Sequence, residues 1–182
     1  MKNALVIIDY VNDFVAANGS LTCGVPAQEI DTAIAQWVEQ YGAAGELIVV
    51  ATDTHMEGDP YHPETRLFPT HCVANSWGAM LYGGTASAVQ KLPKEQLLLI
   101  PKTRYSAFAG TPLDQKLRER GISHVQLVGV CTDICVLHTA VDAYNLGYRI
   151  TVAANSVASF NQEGHLFTLA HLTHTLGATV LQ

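Results

Sequence analysis

Six short, nearly continuous apolar runs recur along this chain: ALVIID at 4–9, ELIVVAT at 46–52, QLLLIPK at 96–102, HVQLVGV at 124–130, RITVAA at 149–154 and ATVL at 178–181. Runs rich in Val, Ile and Leu without polar alternation read as strands covered on both faces. Between them lie helical segments with recognisable ends. PAQEIDTAIAQWVEQYGAAG opens near Pro26 and closes at Gly42 and Gly45, and PLDQKLRERG, ICVLHTAVDAYNLG and QEGHLFTLAHLTHTLG follow. Strands alternating with helices across short connections predict the α/β class, an open parallel sheet with helices on both faces and right-handed crossovers. A length of 182 residues fits one domain over 1–182, without repeats or a linker.

One segment breaks this rhythm. From Asp53 to Gly84 the chain reads DTHMEGDPYHPETRLFPTHCVANSWGAMLYGG, with three prolines, three histidines and no periodicity. A loop of 53–84 inside a compact domain points to function. GGT at 83–85 lacks the strand and helix context of a phosphate cradle, so no dinucleotide fingerprint is read. Lys and Arg total 10 against 16 Asp and Glu, a formal charge of −6, and the basic residues form no cluster. Nucleic acid and anionic membranes are therefore poor partners, and a small molecule is the expected one. The first apolar run meets Asp9 too soon for a signal or a span, which predicts a cytosolic protein. Cys23, Cys72, Cys131 and Cys135 are then expected as reduced thiols.

Ligands of parallel α/β sheets sit beyond the carboxyl ends of the strands. Asp9 ends the first run, Lys102 the third, and Cys135 opens the helix after the fourth, so a base, a cation and a nucleophile meet at one sheet edge. A helix N-terminus would favour the Cys135 thiolate. The competing reading is a capping Asp9, a solvated Lys102 and a buried Cys135. In the loop, Asp53 and His55 are two apart and point the same way if extended, while Glu64 and His71 can fold back onto them. Such a donor set suits Zn, Fe(II) or Mn, with Zn favoured by the imidazoles. The alternative is an irregular loop whose histidines serve as hydrogen-bond partners. Phe14, Phe68 and Tyr105 neighbour these positions and are candidate walls for a substrate ring. Trp77 is a further loop aromatic without a positional argument. Cys131 and Cys135 do not form a C-x-x-C pair, and a dithiol role is set aside. His165, His171 and His174 fall on the last helix, read as an amphipathic or subunit-contact face.

IIDYVNDF, PKTRYSAFAGTPLD and GVCTDICVLHTAVDAYNLGY together resemble the three catalytic segments of the isochorismatase-like cysteine hydrolases, over nearly the whole chain. Within that superfamily, DTH...HPETRLFPTHCV is similar to the metal loop of nicotinamidases. The resemblance implies a six-stranded parallel sheet and a triad of nucleophile Cys135, general base Asp9 and Lys102. It implies a cis peptide at Val130-Cys131 and an oxyanion hole from the N–H groups of Cys131 and Cys135. It also implies one divalent ion on Asp53, His55 and His71, completed by Glu64 with His62 close by, and a homo-oligomer. The reaction implied is hydrolysis of nicotinamide to nicotinate and ammonia in NAD salvage, with pyrazinamide accepted. The isochorismate-cleaving branch lacks the cysteine, so its activity is not expected. Two alternatives stand beside this: an amidohydrolase for carbamoyl or ureido compounds, and a non-catalytic binding module.

Overall fold

The computed structural model describes residues 2–182. Six strands form one parallel sheet: β1 (Lys2–Ile8), β2 (Leu47–Asp53), β3 (Leu97–Lys102), β4 (Ile122–Val130), β5 (Arg149–Ala158) and β6 (Thr179–Leu181), in the order β3-β2-β1-β4-β5-β6. This is the expected α/β architecture. β1 shows why the apolar runs do not alternate with polar residues. Ala4, Val6 and Ile8 enter the core on one face, and Leu5 and Ile7 enter the core on the other. Strand periodicity thus feeds two cores rather than one core and solvent.

Helices cover both faces. α1 (Asn12–Val15), α2 (Val25–Glu29), α3 (Asp31–Ala43) and α4 (Gly83–Gln90) lie on the Leu5 face, where Val15, Ala27, Ile34, Val38 and Val89 are buried. α5 (Leu113–Glu119), α6 (Leu137–Asn145) and α7 (Gln162–His174) lie on the Val6 face through Leu117, Ala140 and Leu172. Among the described residues no helix is long and apolar enough to cross a membrane.

Two departures from the sequence reading have local causes. The helical segment after Pro26 is split at Ile30 into α2 and α3, which frees the Asp31 carboxylate to turn sideways. It accepts from the N–H groups of Gly84 (2.7 Å) and Thr85 (2.9 Å) and from the Thr85 hydroxyl (2.8 Å). That is an N-cap supplied from another helix, and it lets α4 form from a stretch whose own flanks carry no capping Ser, Thr, Asp or Asn. GGT at 83–85 therefore does open a helix, but its N-terminal donors are taken by a carboxylate.

The strand order reverses direction between β1 and β4, and this is where a parallel sheet opens a crevice. Gly129, at φ +116°, lines that boundary: a Cβ there would stand 2.0 Å from the carbonyl oxygen of Ile8. Only glycine lets β4 run this close to β1 before the chain turns into the nucleophile segment.

Candidate active site

Asp9 leaves β1 in the left-handed region, at φ +52°, and is buried. Its carboxylate is held from two sides. Oδ1 accepts from the backbone N–H of Asp53 at 2.6 Å, and Oδ2 lies 2.7 Å from Lys102 Nζ. Lys102 closes β3 in register with Asp53 and is buried to 1% exposure, so its ammonium must find all its partners inside. Nζ donates to the carbonyl of Arg104 at 3.0 Å, reaches Cys135 Sγ at 3.8 Å and stands 3.9 Å from Asp53 Oδ1. One cation thus bridges the base, the thiol and the neighbouring acidic cluster. The three groups read from the sequence do converge.

The turn that carries Cys135 differs from the expected helix start. Residues Thr132–Val136 form a π-helical turn between β4 and α6, and the Val130-Cys131 peptide is cis. Side chains just before the nucleophile pin the turn to α7 and to the loop leading into it. Thr132 Oγ1 pairs with His165 Nδ1 at 2.9 Å, and Asp133 accepts from Ser159 Oγ at 2.6 Å and from Asn161 Nδ2 at 3.2 Å. His165 thus faces inward to the nucleophile turn. His171 stacks on Phe167, with ring centres 5.6 Å apart.

Electrostatics also revise the thiolate picture. Burial raises the Cys135 thiol well above its ordinary range and the Asp9 carboxylate adds to this, with Lys102 pulling only partly the other way. Burial, opposed by Lys102 and assisted by Asp53, raises Asp9 to about 6. Desolvation outweighs the helix-end effect invoked from sequence. The resting pair is a neutral thiol beside a carboxylate poised near neutrality, an arrangement for moving a proton during attack rather than before it.

Beside the triad, Asp53, His55, Glu64 and His71 bring four buried ligand atoms within 4.8 Å of one another. His55 Nε2 is 2.6 Å from Asp53 Oδ2. His71 Nε2 stands 3.4 Å from Asp53 Oδ2 and 3.4 Å from Glu64 Oε2. His71 Nε2 and Asp53 Oδ1 are buried without a hydrogen-bond partner. Orphaned donors and acceptors converging in this way fit a divalent cation, and two imidazoles with two carboxylates match a first-row metal. The other ring nitrogen of His71 is tied to the Pro69 carbonyl at 2.7 Å, which turns Nε2 toward the cluster. Burial lowers the proton affinity of His71, but the Asp53 and Glu64 carboxylates outweigh it and set it at about 10, so the cluster calls for positive charge. Burial raises the Asp53 carboxyl, while His55, His71 and Lys102 more than reverse this and hold it well below the usual carboxylate range. His62 lies next to the cluster with both nitrogens occupied: Nε2 pairs with the Thr103 carbonyl at 2.8 Å and Nδ1 accepts from the Glu64 N–H at 3.3 Å. It positions Glu64 rather than joining the four.

A cavity opens onto Asp9, Cys131 and Cys135 on one side and onto Asp53 and Glu64 on the other, with Phe14, Phe68 and Tyr105 in its walls. Leu21, Ile134 and Phe160 line it too, and nothing in their sequence surroundings singles them out. Trp77 does not line it; its ring is half exposed beside Met80 and Leu99. All four cysteines are free, and Cys23 Sγ lies 2.9 Å from Cys131 Sγ under the cavity floor, a contact with no sequence signal.

The fold and this strand-end site define a three-layer α/β enzyme with a buried cysteine at its centre, and comparison with known proteins places it in a class of hydrolases. The isochorismatase domain matches residues 3–182, and the chain belongs to the isochorismatase family. It is similar to the uncharacterized isochorismatase family protein PncA of Bacillus subtilis (strain 168), at 54% identity over 183 residues covering 100% of both chains. Among solved structures it is similar to the nicotinamidase/pyrazinamidase PncA of Bacillus subtilis, with a TM-score of 0.98, 50% identity and 100% of each chain covered. It is also similar to the pyrazinamidase of Pyrococcus horikoshii in complex with zinc, with a TM-score of 0.87, 27% identity and coverage of 100% and 99%.

Proposed function

We propose that this chain is a nicotinamidase, a cysteine amidohydrolase that converts nicotinamide to nicotinate and ammonia and also accepts pyrazinamide. One observation carries the reading: a single cavity is lined both by Asp9 and Cys135 of the triad and by Asp53 and Glu64 of the four-residue cluster, with Phe14 and Phe68 in its walls. A divalent ion on those four residues, Zn in this reading with Mn or Fe as alternatives, would offer the ring nitrogen a ligand position. Zinc in the Pyrococcus horikoshii relative supports that choice.

The chain's own groups supply the chemistry. Asp9 takes the proton from Cys135 as sulfur attacks the carboxamide carbon. Lys102, whose ammonium is buried but held charged by Asp9, keeps the carboxylate oriented through the transfer. The backbone N–H groups of Cys131 and Cys135 are assigned to the oxyanion, a contribution worth about 3 kcal/mol per donor in other enzymes. Ammonia departs with the proton from Asp9, and Asp9 then draws a proton from the water that hydrolyses the thioester. Phe14 and Phe68, with ring centres 5.4 and 6.2 Å from that of His71, would hold the substrate ring flat against the cluster. The same reading puts the enzyme in NAD salvage in the cytosol as a homo-oligomer, the last checked by sedimentation.

The deciding test is ammonia release from nicotinamide by purified protein with and without a chelator, alongside metal content. Turnover that chelation removes and Zn, Mn or Fe restores is the expected outcome. Rapid hydrolysis of a carbamoyl or ureido compound without any effect of chelation would replace nicotinamide as the substrate.

A further inference from the structure

The cavity and its two clusters leave one buried carboxylate unused. Asp13, four residues after the base, is 6% exposed and touches neither the thiol nor the four-residue cluster. Its Oδ2 accepts the backbone N–H of Cys72 at 2.7 Å, and its Oδ1 accepts the N–H of Ser20 at 3.1 Å. Cys72 directly follows His71 and sits at φ +47°, a left-handed conformation that a non-glycine side chain disfavours and that needs an outside hold. The carboxylate also fills the place of a side chain at Gly78, where a Cβ would lie 2.0 Å from Oδ2. The Asn12 side chain donates to the neighbouring Trp77 carbonyl at 2.8 Å.

We propose that Asp13 is a positioning residue for metal capture: by gripping the Cys72 N–H it fixes where His71 Nε2 points. The inference rests on the nicotinamidase reading of the cluster. His71 arrives 16 residues after His55 along an irregular loop, where a one-residue β-bridge between His55 and Val73 takes the Cys72 carbonyl at 2.9 Å and leaves the Cys72 N–H to Asp13. The parallel with Asp9 is close. Asp9 takes the N–H of Asp53 at one end of the ligand set, and Asp13 takes the N–H of Cys72 at the other. Two carboxylates on one segment therefore hold both ends of the ligand set in register with the catalytic base. A charged acceptor makes the stronger hydrogen bond to an N–H, and a ligand so held has less freedom to lose when it meets the ion.

The test compares wild type with Asp13→Asn, Asp13→Ala and Gly78→Ala, measuring Zn affinity by competition with a chromogenic chelator and thermal unfolding with and without Zn. Asp13→Ala is expected to weaken Zn binding about 10- to 100-fold, the range found for outer-sphere partners of metal ligands. Asp13→Asn preserves the shape and offers only one acceptor oxygen, so it should fall between wild type and the alanine variant. Gly78→Ala pushes the carboxylate off Cys72 from the other side and should act in the same direction. In each folded variant the Zn-induced rise in Tm should shrink more than the metal-free Tm falls. Unchanged Zn affinity in a folded Asp13→Asn or Asp13→Ala, with only a lower Tm, would overturn the positioning role. If Asp13→Ala does not fold, Asp13→Asn and Gly78→Ala decide. Wild type without measurable metal binding would sink the metal reading and this inference together, whereas wild-type binding that the variants share sinks this inference alone.

Discussion

The two halves of the site are built by different means. Asp9 and Lys102 sit at or just beyond strand ends, and Cys135 lies in the turn leaving β4, so the hydrogen-bond ladder of the sheet sets their positions. Glu64 and His71 lie in an irregular stretch, held by side-chain bonds to backbone from His62 to the Glu64 N–H and from Asp13 to the Cys72 N–H, with one short β-bridge between His55 and Val73. The first half inherits its rigidity from the continuous strand ladder, while the second depends on a short bridge and a few replaceable side-chain bonds. Perturbations of one half should therefore leave the other readable.

The largest expected effect is at the nucleophile. Cys135→Ala should lower kcat by at least about 10⁴-fold, as removal of a nucleophile does elsewhere, while metal content per chain stays that of wild type. Loss of metal in that variant would break the separation of the halves. His71→Ala is the reciprocal test: it should abolish retention of Zn after gel filtration and most of the turnover, yet leave the rate of Cys135 alkylation by iodoacetamide within a factor of two or so of wild type. Lys102→Ala removes the partner of a buried carboxylate and should cost about 3 to 5 kcal/mol of stability by urea unfolding, along with turnover.

The pH profile sharpens the catalytic half. Asp9, raised to about 6, must be ionised to receive the thiol proton, so kcat/KM should fall as pH drops, with an acidic midpoint at or below about 6. Its sign in stability is opposite to that of a salt-bridged surface carboxylate: a raised folded value favours folding at low pH, and that advantage disappears as pH rises from about 4 through 6. A profile flat down to pH 4 would remove Asp9 as the base. The smallest effect is expected away from both halves: Asp31→Ala should cost about 1 kcal/mol through the α4 cap, a Tm drop of about 2 to 4 °C, with turnover unchanged.

What the amino-acid sequence discloses follows the same division. The strands were legible because both faces of each are buried, which leaves a continuous apolar run, and strand ends in a parallel sheet are where chemistry gathers. Asp9, Lys102 and Cys135 could be read from that rule together with residue type. α4 was not legible, since its cap comes from Asp31, 53 residues away in the chain. Asp13 stood in plain view in IIDYVNDF, but its role exists only once Cys72 and Gly78 are folded onto it. The state of the Cys135 thiol was misread because a helix end is a local feature, whereas desolvation is a property of the whole surrounding fold.

The bond from the Asp53 N–H to Asp9 Oδ1 joins the two halves at one point, where a proton site adjoins a cation site. Proton and ion compete for the same stretch of negative field, so each must weaken the other's binding by an equal factor. Acidifying the medium should loosen the ion before the fold yields, and loading the ion should in turn make Asp9 the stronger acid.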